Sequence, residues 1–451
     1  MKKQFRFSTT QIIMMSFLFG ILIGSLLLVL PVSSQTGKSV DYIDALFTSV
    51  TSMCVTGLVT VPTVSTWSFF GQAVILVLIQ LGGIGVITVI AGIMIYLNKR
   101  LGLKDRLLLQ DAFNLNSISG IIRFIKKVLK GTLLVEGIGA LLYMIVFVPE
   151  YGLRGIWISV FTSISAFCNA GIDIISEQSL CEYALHPVIN IVTSILIVLG
   201  GLGYLVWWDV IRVLKMKKQP LTQRFSYLTL HSKIALSVTV ILILFGTLSF
   251  FVLEYNNPMT IKEFSFLDKL QVCFFQSVTT RTAGFASIPQ EHLSNASAVV
   301  SLILMFIGGS PAGTAGGIKT VTFSVFILSA LSTIQNKQET VLFHRSVPKE
   351  LINKSVAVIT VSFSIMLIST ILLSSLMQAD ALDIIYETVS ATATVGLSRN
   401  LTPSLSFLGK LIVSGTMYLG RVGPISLLVA FNTNHQKKNV IQYPTEEISV
   451  G

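Results

Sequence analysis

Four short segments, each ending at a glycine, contain the residues of this chain whose types and spacing suit the binding of an ion. Each segment consists of small and polar residues followed by a glycine. The four glycines lie 114, 113 and 112 residues apart along the chain. They are Gly57, Gly171, Gly284 and Gly396. An aromatic residue precedes the glycine by nine or ten positions in every copy. Four evenly spaced copies predict one structural unit repeated around an axis, and therefore a pseudo-fourfold pore.

The segments 55–58, 169–172, 282–285 and 394–397 carry no charge, which suits a site for a monovalent cation. A dehydrated cation needs oxygen dipoles in place of its water shell, and glycine permits the backbone geometry that points successive carbonyls at one axis. Carboxylates would bind the ion too tightly for rapid release. The predicted ion-contacting residues are Val55, Thr56 and Gly57; Asn169, Ala170 and Gly171; Thr282, Ala283 and Gly284; and Thr394, Val395 and Gly396. The alternative is that these glycines only break helices in a packed bundle.

The elements that must position these segments are membrane helices. Hydrophobic residues make up 52% of the chain and charged residues 12%, against about 25% charged residues in soluble domains. Apolar stretches long enough to cross a hydrocarbon layer of about 30 Å number eight, two per copy. They cover residues 11–30, 70–97, 131–148, 188–208, 234–253, 296–331, 356–377 and 407–431. A short amphipathic stretch before each glycine can only dip into the bilayer and return.

These features predict an all-α integral membrane protein with four tandem helix–pore-loop–helix repeats and eight transmembrane helices around one pore. The predicted repeats cover residues 1–115, 116–225, 226–345 and 346–435, followed by a cytoplasmic tail at 436–451. The basic run before the first stretch resembles a signal peptide. However, the apolar run of 20 residues exceeds the usual signal core of about 7 to 15, so an uncleaved first span is expected.

The distribution of charge predicts the orientation. The net charge is +11, and 23 of the 32 basic residues lie before the first span, between repeats or after the last span. Basic loops stay in the cytoplasm, so both termini are expected there, and a nucleic-acid partner is not needed to explain the charge. The opposite segments carry thirteen acidic residues against seven basic ones. They form either an acidic outer mouth that concentrates cations or an ordinary solvated surface.

The second span of the third repeat is interrupted by small residues and Pro311, which cannot sustain a regular helix. We predict that this span alone breaks, with an irregular loop near mid-membrane. The carbonyls and the hydroxyls of Ser310 and Thr314 would face the conduction path or bond Arg421. The predicted gate consists of Gly308, Gly309, Ser310, Gly313, Thr314, Gly316, Gly317, Lys319 and Arg421. The loop lacks the adjacent Gly-Lys of a phosphate-binding loop, so nucleotide binding there is rejected.

Arg421 stands out because the corresponding place in the other second spans holds a glycine pair. Those pairs are 82–83, 200–201 and 308–309, where small residues allow close helix packing. An arginine at membrane depth costs roughly 2.5 to 3.5 kcal/mol on insertion scales. We interpret it as a barrier to cations below the glycine segments. The alternative is a packing arginine that bonds neighbouring carbonyls.

Other polar residues are assigned structural roles. Arg281 ends a short helix, where it would interact with the negative end of the dipole. Glu136 and Asp209 are placed near cytoplasmic ends of spans, in interface salt bridges, and no carboxylate is expected deep in the membrane. The four cysteines and five histidines show no ligand spacing, so no transition-metal site is predicted. No nucleophile and base pair can be named, which argues against an enzyme.

The glycine segments, the 308–320 string and Arg421 together resemble the Trk/Ktr/HKT superfamily of cation transporters, closest to the Ktr type, over essentially the whole chain. The resemblance implies potassium uptake, often sodium-dependent, at the cell membrane. It implies a homodimer with a cytosolic nucleotide-binding regulatory ring, so that a nucleotide acts only through the partner and no cofactor is covalently bound. It also assigns potassium to the filter carbonyls, and the gate to the 308–320 loop with Arg421.

Glycine at position 57, rather than serine, is similar to the potassium-selective branch. A sodium-preferring or nonselective cation pathway stays open as an alternative on the same scaffold. A gradient-coupled secondary transporter is a further alternative. That class is disfavoured here because only one span is expected to break and deep carboxylates are expected to be missing.

Overall fold

The computed structural model describes residues 8–99, 101–113, 117–216 and 220–423, which are mostly helical. The first helices are α1 (Thr9–Val29), α2 (Tyr42–Cys54), α3 (Thr63–Thr66), α4 (Phe69–Ile84), α5 (Val86–Tyr96), α6 (Leu103–Ala112), α7 (Ile121–Tyr151), α8 (Leu153–Cys168) and α9 (Pro187–Leu202). The next are α10 (Tyr204–Leu214), α11 (Leu221–Arg224), α12 (Leu230–Glu254), α13 (Phe266–Thr279), α14 (Asn295–Phe306), α15 (Thr320–Ile334), α16 (Lys349–Leu376), α17 (Ala381–Ala393) and α18 (Phe407–Val422).

Short elements connect these helices. Single 3-10 turns cover Pro31–Ser33, Cys181–Tyr183, Phe225–Tyr227, Gln290–His292 and Thr402–Ser404. Strands β1 (Val341–Leu342) and β2 (Arg345–Ser346) pair antiparallel between α15 and α16. The predicted tail at 436–451, the end of the predicted last span and several of the basic residues that predict orientation lie outside the described residues.

Among the described residues, four helices are long and apolar enough to cross a membrane unbroken: α1, α7, α12 and α16. Their mean hydropathy over the best window is 2.7, 2.0, 2.5 and 2.5. At about 1.5 Å per residue, the shortest of them, with 21 residues, matches a hydrocarbon layer of about 30 Å. Each begins one of the four predicted repeats.

The second span of each of the first three repeats is interrupted, so the prediction that only the third breaks is wrong. α4 and α5 meet at an angle of 94°, and α9 and α10 meet at 99°. The turns lie at Gly85 and Gly203, whose φ angles of +92° and +83° end one helix and start the next. A single glycine at positive φ redirects a helix without a proline, which is why composition did not reveal these two bends. In the third repeat, α14 ends at Phe306 and α15 begins at Thr320, as predicted.

The helices before the glycine segments are short, as predicted. α2, α8, α13 and α17 have 13, 16, 14 and 13 residues, so each rises only about 20 to 24 Å at about 1.5 Å per residue. Their shared aromatic position is fully buried in every copy and anchors the helix in the core. These anchors are Phe47, Phe161, Phe275 and Tyr386.

Glycines of the second spans pack against the ends of these short helices, which confirms their predicted role in close packing. A Cβ atom added to Gly82 would lie 2.0 Å from the Met53 carbonyl oxygen, and one added to Gly200 would lie 1.9 Å from that of Phe167. Gly420 approaches Thr392 in the same way, at 2.1 Å. Only glycine permits this backbone-to-backbone contact.

The ends of the described chain meet. Phe17 and Phe47 of the first repeat share a buried cluster with Leu373, Ile384 and Met417 of the fourth. An ion pair of 2.5 Å between Lys410 on α18 and Asp44 on α2 reinforces this contact. The last described helix therefore packs against the first hairpin of the chain.

Candidate cation-binding site

The four glycine segments share an unusual backbone conformation. The residue two positions before each glycine has a left-handed φ of +56°, +60°, +65° or +51°. These residues are Val55, Asn169, Thr282 and Thr394. The glycines themselves have φ angles of +102°, +64°, +80° and +100°. Left-handed φ at a β-branched valine or threonine is strained, and such strain persists only where the surroundings impose it. Three of the four residues are β-branched, and the same left-handed conformation in all four copies indicates a site with a common requirement.

The four segments touch one another in a closed ring. A Cβ atom added to Gly57 would lie 2.6 Å from the Ala170 carbonyl oxygen, and one added to Gly171 would lie 2.6 Å from that of Ala283. A Cβ atom on Gly284 would lie 2.6 Å from the Val395 oxygen, and one on Gly396 only 2.2 Å from the Thr56 oxygen. Each glycine thus faces a carbonyl of the next segment, and the fourth faces the first. Backbone oxygens from all four segments lie around one centre.

Hydroxyl side chains from the short helices bind the backbone of every glycine segment. Thr51 and Ser390 accept hydrogen bonds from the N–H groups of Gly57 and Gly396, both at 3.0 Å. Ser165 donates to the Ile172 carbonyl at 2.5 Å. Thr279 donates in the same way to the carbonyl just after Gly284, at 2.6 Å. The sequence prediction does not include these four residues. The signal that could have identified them is a hydroxyl residue four positions after the aromatic residue in every copy.

The loop between α14 and α15 lies directly against the glycine segments. The Gly316 N–H donates to Thr282 Oγ1 at 3.2 Å, and a Cβ atom at Gly316 would clash with Thr394 Oγ1. Thr314 Oγ1 donates to the Phe167 carbonyl at 2.9 Å, at the end of α8. The loop therefore contacts the second, third and fourth segments at once.

Internal contacts shape the two ends of this loop. Gly308 donates to the Ile318 carbonyl at 2.9 Å, Thr320 donates to that of Gly309 at 2.9 Å, and Gly317 has a φ of +64°. The middle of the loop packs on the second repeat. There, a Cβ atom at Gly313 would lie 2.8 Å from the Gly200 oxygen, and the Ser310 N–H donates to the Gly201 oxygen at 2.7 Å.

Arg421 connects this loop to the first repeat. Its Nη1 donates to the Thr314 carbonyl and its Nη2 to the Gly82 carbonyl, both at 2.6 Å. The Lys319 Nζ donates to the neighbouring Ala315 carbonyl at 2.5 Å. Two positive side chains thus hold adjacent carbonyls of the loop. Both line a cavity of about 1380 Å³ that also includes Gly83 and Thr392.

The predicted freedom of the loop hydroxyls is wrong. Ser310 Oγ is hydrogen-bonded to Thr320 Oγ1 at 2.9 Å, and Thr314 Oγ1 is occupied by the Phe167 carbonyl and Asn169 Oδ1. Arg421 bonds the Thr314 carbonyl, as predicted for the loop carbonyls, and it bonds neither hydroxyl. A buried hydroxyl forms a hydrogen bond with a polar group close to it in the fold, and the sequence does not reveal which group that is.

The sequence also predicts structural roles for three further charged residues, Asp209, Arg281 and Glu136. Asp209 forms the expected salt bridge, 2.6 Å from Arg212. Arg281 is structural, as expected, because its Nη2 donates to the Gly308 carbonyl at 3.1 Å and its Nη1 to that of Thr239 at 3.3 Å. It therefore supports the start of the loop.

The assignment of Glu136 to an interface salt bridge is wrong. Glu136 lies in the middle of α7, is buried, and accepts a hydrogen bond from Gln80 Nε2 at 3.1 Å. No basic side chain in the described part of the chain pairs with it. A carboxylate is therefore buried deep in the protein after all. The long basic start of α7 suggested a cytoplasmic position, but the helix continues well beyond that start.

The comparisons with known proteins agree with one another. The family model described as "Cation transport protein", TrkH, matches residues 2–443. The chain is 39% identical to the Ktr system potassium uptake protein B of Bacillus subtilis, over all of this chain and 98% of that protein. It is 35% identical to the potassium/sodium uptake protein NtpJ of Enterococcus hirae, over all of this chain and 99% of that protein.

Two other similarities are more distant. The Ktr system potassium uptake protein B of Vibrio alginolyticus is 34% identical, over 98% of this chain and 94% of that protein. The fold resembles the crystal structure of the potassium transporter TrkH from Vibrio parahaemolyticus with a TM-score of 0.77 and 14% identity. That comparison covers 96% of this chain and 86% of that one.

Proposed function

Because this chain belongs to the TrkH/Ktr family of cation transport proteins, we propose that it carries potassium ions across the cell membrane through the ring of glycine segments. The observation that carries the proposal is the cyclic contact of each glycine with a carbonyl of the next segment. Its relatives are named as transport proteins, not enzymes, and three of their names include potassium uptake or potassium/sodium uptake.

The proposed filter consists of the twelve residues predicted from the sequence. Its carbonyls replace the water shell of the ion, and its neutral character allows the ion to leave. Four helix–loop–helix repeats, eight spans in all, would surround it in a pseudo-fourfold arrangement with the predicted bounds. The four repeated φ patterns and the contact between the first and fourth repeats support this arrangement.

The proposed gate is the 308–320 loop, held by Arg421. The loop lies against three of the glycine segments, and Arg421 fastens its Thr314 carbonyl to the Gly82 carbonyl of the first repeat. Opening requires the loop to leave these partners, which breaks two charge-assisted hydrogen bonds worth roughly 1.5 to 3 kcal/mol each. Arg421 is thus both a packing residue that bonds carbonyls and a barrier to cations. The two sequence interpretations describe one geometry.

A sodium-preferring or nonselective pathway is the second candidate, since NtpJ is named a potassium/sodium uptake protein. Gradient-coupled secondary transport is a third. The bends at Gly85 and Gly203 and the buried Glu136 remove two of the reasons for setting it aside. The closed ring of neutral carbonyls favours a filter over a carboxylate-based midplane site.

We further propose that the protein is the membrane subunit of a larger system. Relatives named as protein B of a Ktr system imply other components. A homodimer and a cytosolic nucleotide-binding ring on the basic face remain part of this proposal, as do cytoplasmic termini, sodium dependence and a nucleotide that acts only through the ring.

The test is ion flux through the purified protein in liposomes, with potassium, rubidium and sodium compared in parallel. The proposal expects potassium and rubidium to pass and sodium to pass more slowly. Equal rates for all three would favour the nonselective candidate. Flux that depends on an imposed sodium or proton gradient, with none by diffusion, would favour the secondary transporter.

A further inference from the structure

Glu387 is a buried carboxylate directly behind the fourth glycine segment. It follows the anchoring aromatic Tyr386 on α17, and its side chain is fully buried. Both carboxylate oxygens have partners: Oε2 accepts from Ser398 Oγ at 2.7 Å, and Oε1 accepts from Thr402 Oγ1 at 2.5 Å. A carboxylate is rarely fully buried unless polar groups pair with it, and these two hydroxyls are the partners that hold the Glu387 side chain in place.

The two partners lie on the segment that leaves the proposed filter. Ser398 is two residues after Gly396, and Thr402 begins the next 3-10 turn. Ser398 Oγ also accepts from the N–H groups of Leu401 and Thr402, at 3.2 and 3.4 Å. Glu387 therefore fastens the helix before Gly396 to the chain after it and supports the segment from behind.

The equivalent position differs among the four repeats. In the third repeat it is Gln276, whose Nε2 donates to Gln290 Oε1 at 2.7 Å, and Gln290 again follows the glycine segment. In the first and second repeats it is the shorter Thr48 and Thr162, and Thr162 Oγ1 is buried without a partner. A long polar side chain thus supports the outgoing segment in the third and fourth repeats, and only the fourth uses a carboxylate.

We propose that Glu387 is a positioning residue for ion selectivity, an inference that rests on the proposed function of the glycine ring. A filter favours potassium when its carbonyls resist moving inward onto the smaller sodium ion. The connection from Glu387 to Ser398 and Thr402 supplies that resistance on the outer side of Gly396. The carboxylate acts through the backbone and does not contact the ion.

The experiment compares potassium and sodium uptake by liposomes that contain equal amounts of protein. Glu387→Ala removes two hydrogen bonds to a charged group, so the potassium-to-sodium ratio should fall roughly tenfold while total cation flux continues. Glu387→Gln should stay close to the parent, because its amide can accept from one hydroxyl and donate to the other. The exposed Glu350→Gln, at the start of α16, removes the same charge far from the segment and should leave the ratio unchanged.

Two results would overturn the proposal. One is a Glu387→Ala protein of normal abundance that retains the parent ratio. The other is a Glu387→Gln protein that is as unselective as the alanine variant. That result would mean that the negative charge of Glu387, and not its hydrogen bonds to Ser398 and Thr402, sets the selectivity. If the Glu387→Ala protein does not reach the membrane, the potassium-to-sodium ratio is measured in Thr402→Val instead. This substitution keeps the shape of the side chain and removes one of the two hydroxyls that bind Glu387. An unchanged ratio in Thr402→Val then refutes the positioning role.

The parent protein separates this proposal from the proposed function. A parent without potassium preference in the same assay overturns both. A selective parent whose Glu387→Ala variant is equally selective overturns the positioning role alone.

Discussion

The glycine segments and the second helices that follow them differ in how far they repeat. All four glycine segments have the same left-handed pair of residues and the same kind of contact with a neighbouring carbonyl. The second helices differ: two bend at a glycine, one opens into a loop, and one carries Arg421. The molecule repeats the ring of glycines and carbonyls and varies the helices that follow it.

The difference has a physical reason. In the proposed filter, a ring of carbonyls around an ion needs matched positions, so the same left-handed backbone is required four times. A device that opens and closes the path needs only one moving element. One loop held by one arginine can be released without disturbing the ring, whereas four such loops would have to move together.

Substitution in the ring should have the largest effect. A Cβ atom at Gly396 would lie 2.2 Å from the Thr56 carbonyl oxygen, and the φ of +100° is strained for any other residue. Gly396→Ala should therefore reduce potassium uptake to background, measured in cells that lack other potassium uptake. The control is Gly415→Ala in α18, where an added Cβ meets nothing within 4 Å. Uptake retained by Gly396→Ala would mean that the ring is not the ion path.

Substitution in the varied part should change control instead of abolishing transport. Arg421→Ala frees the Thr314 and Gly82 carbonyls, so the loop should open more often and cation flux in liposomes should rise roughly tenfold. Arg421→Lys should give an intermediate flux, because one ammonium group cannot replace the forked guanidinium at both carbonyls. Unchanged flux and regulation in the alanine variant would remove Arg421 from the gate.

A milder change in the ring should lower flux and alter preference without abolishing transport. Gly57 also has a positive φ, +102°, but an added Cβ would lie 2.6 Å from the Ala170 oxygen, against 2.2 Å at Gly396. Serine replaces this glycine in the less selective branch that the family resemblance suggests, so Gly57→Ser should conduct at a reduced rate. Its potassium-to-sodium uptake ratio should fall by a few-fold, roughly the effect of about 1 kcal/mol. Gly37→Ser is a matched control, since Gly37 also has a positive φ, +67°, but nothing within 4 Å of an added Cβ. Selectivity equal to that of the parent would mean that position 57 does not shape the ion site.

Much of the site could be predicted because it depends on local chemistry. Evenly spaced glycines, buried aromatic residues and the proline-containing loop each leave a mark at one place in the chain. The bends at Gly85 and Gly203 could not be predicted in this way, because these glycines follow the pairs 82–83 and 200–201, and small residues in an apolar stretch are equally compatible with a straight, closely packed helix. The prediction that Glu136 lies near the cytoplasmic end of a span is wrong for a related reason. Basic residues at the start of a helix do not show how far the helix extends into the core.

The amino-acid sequence by itself determined the four glycine motifs, the short helices, the break after Phe306 and the family. Only the tertiary structure decided which carbonyl each glycine faces, which backbone groups Arg421 holds, and that Glu387 connects two sides of the fourth segment. Those contacts join residues from different repeats or from opposite sides of a turn. Their partners are set by how the helices pack, and no local pattern encodes that choice.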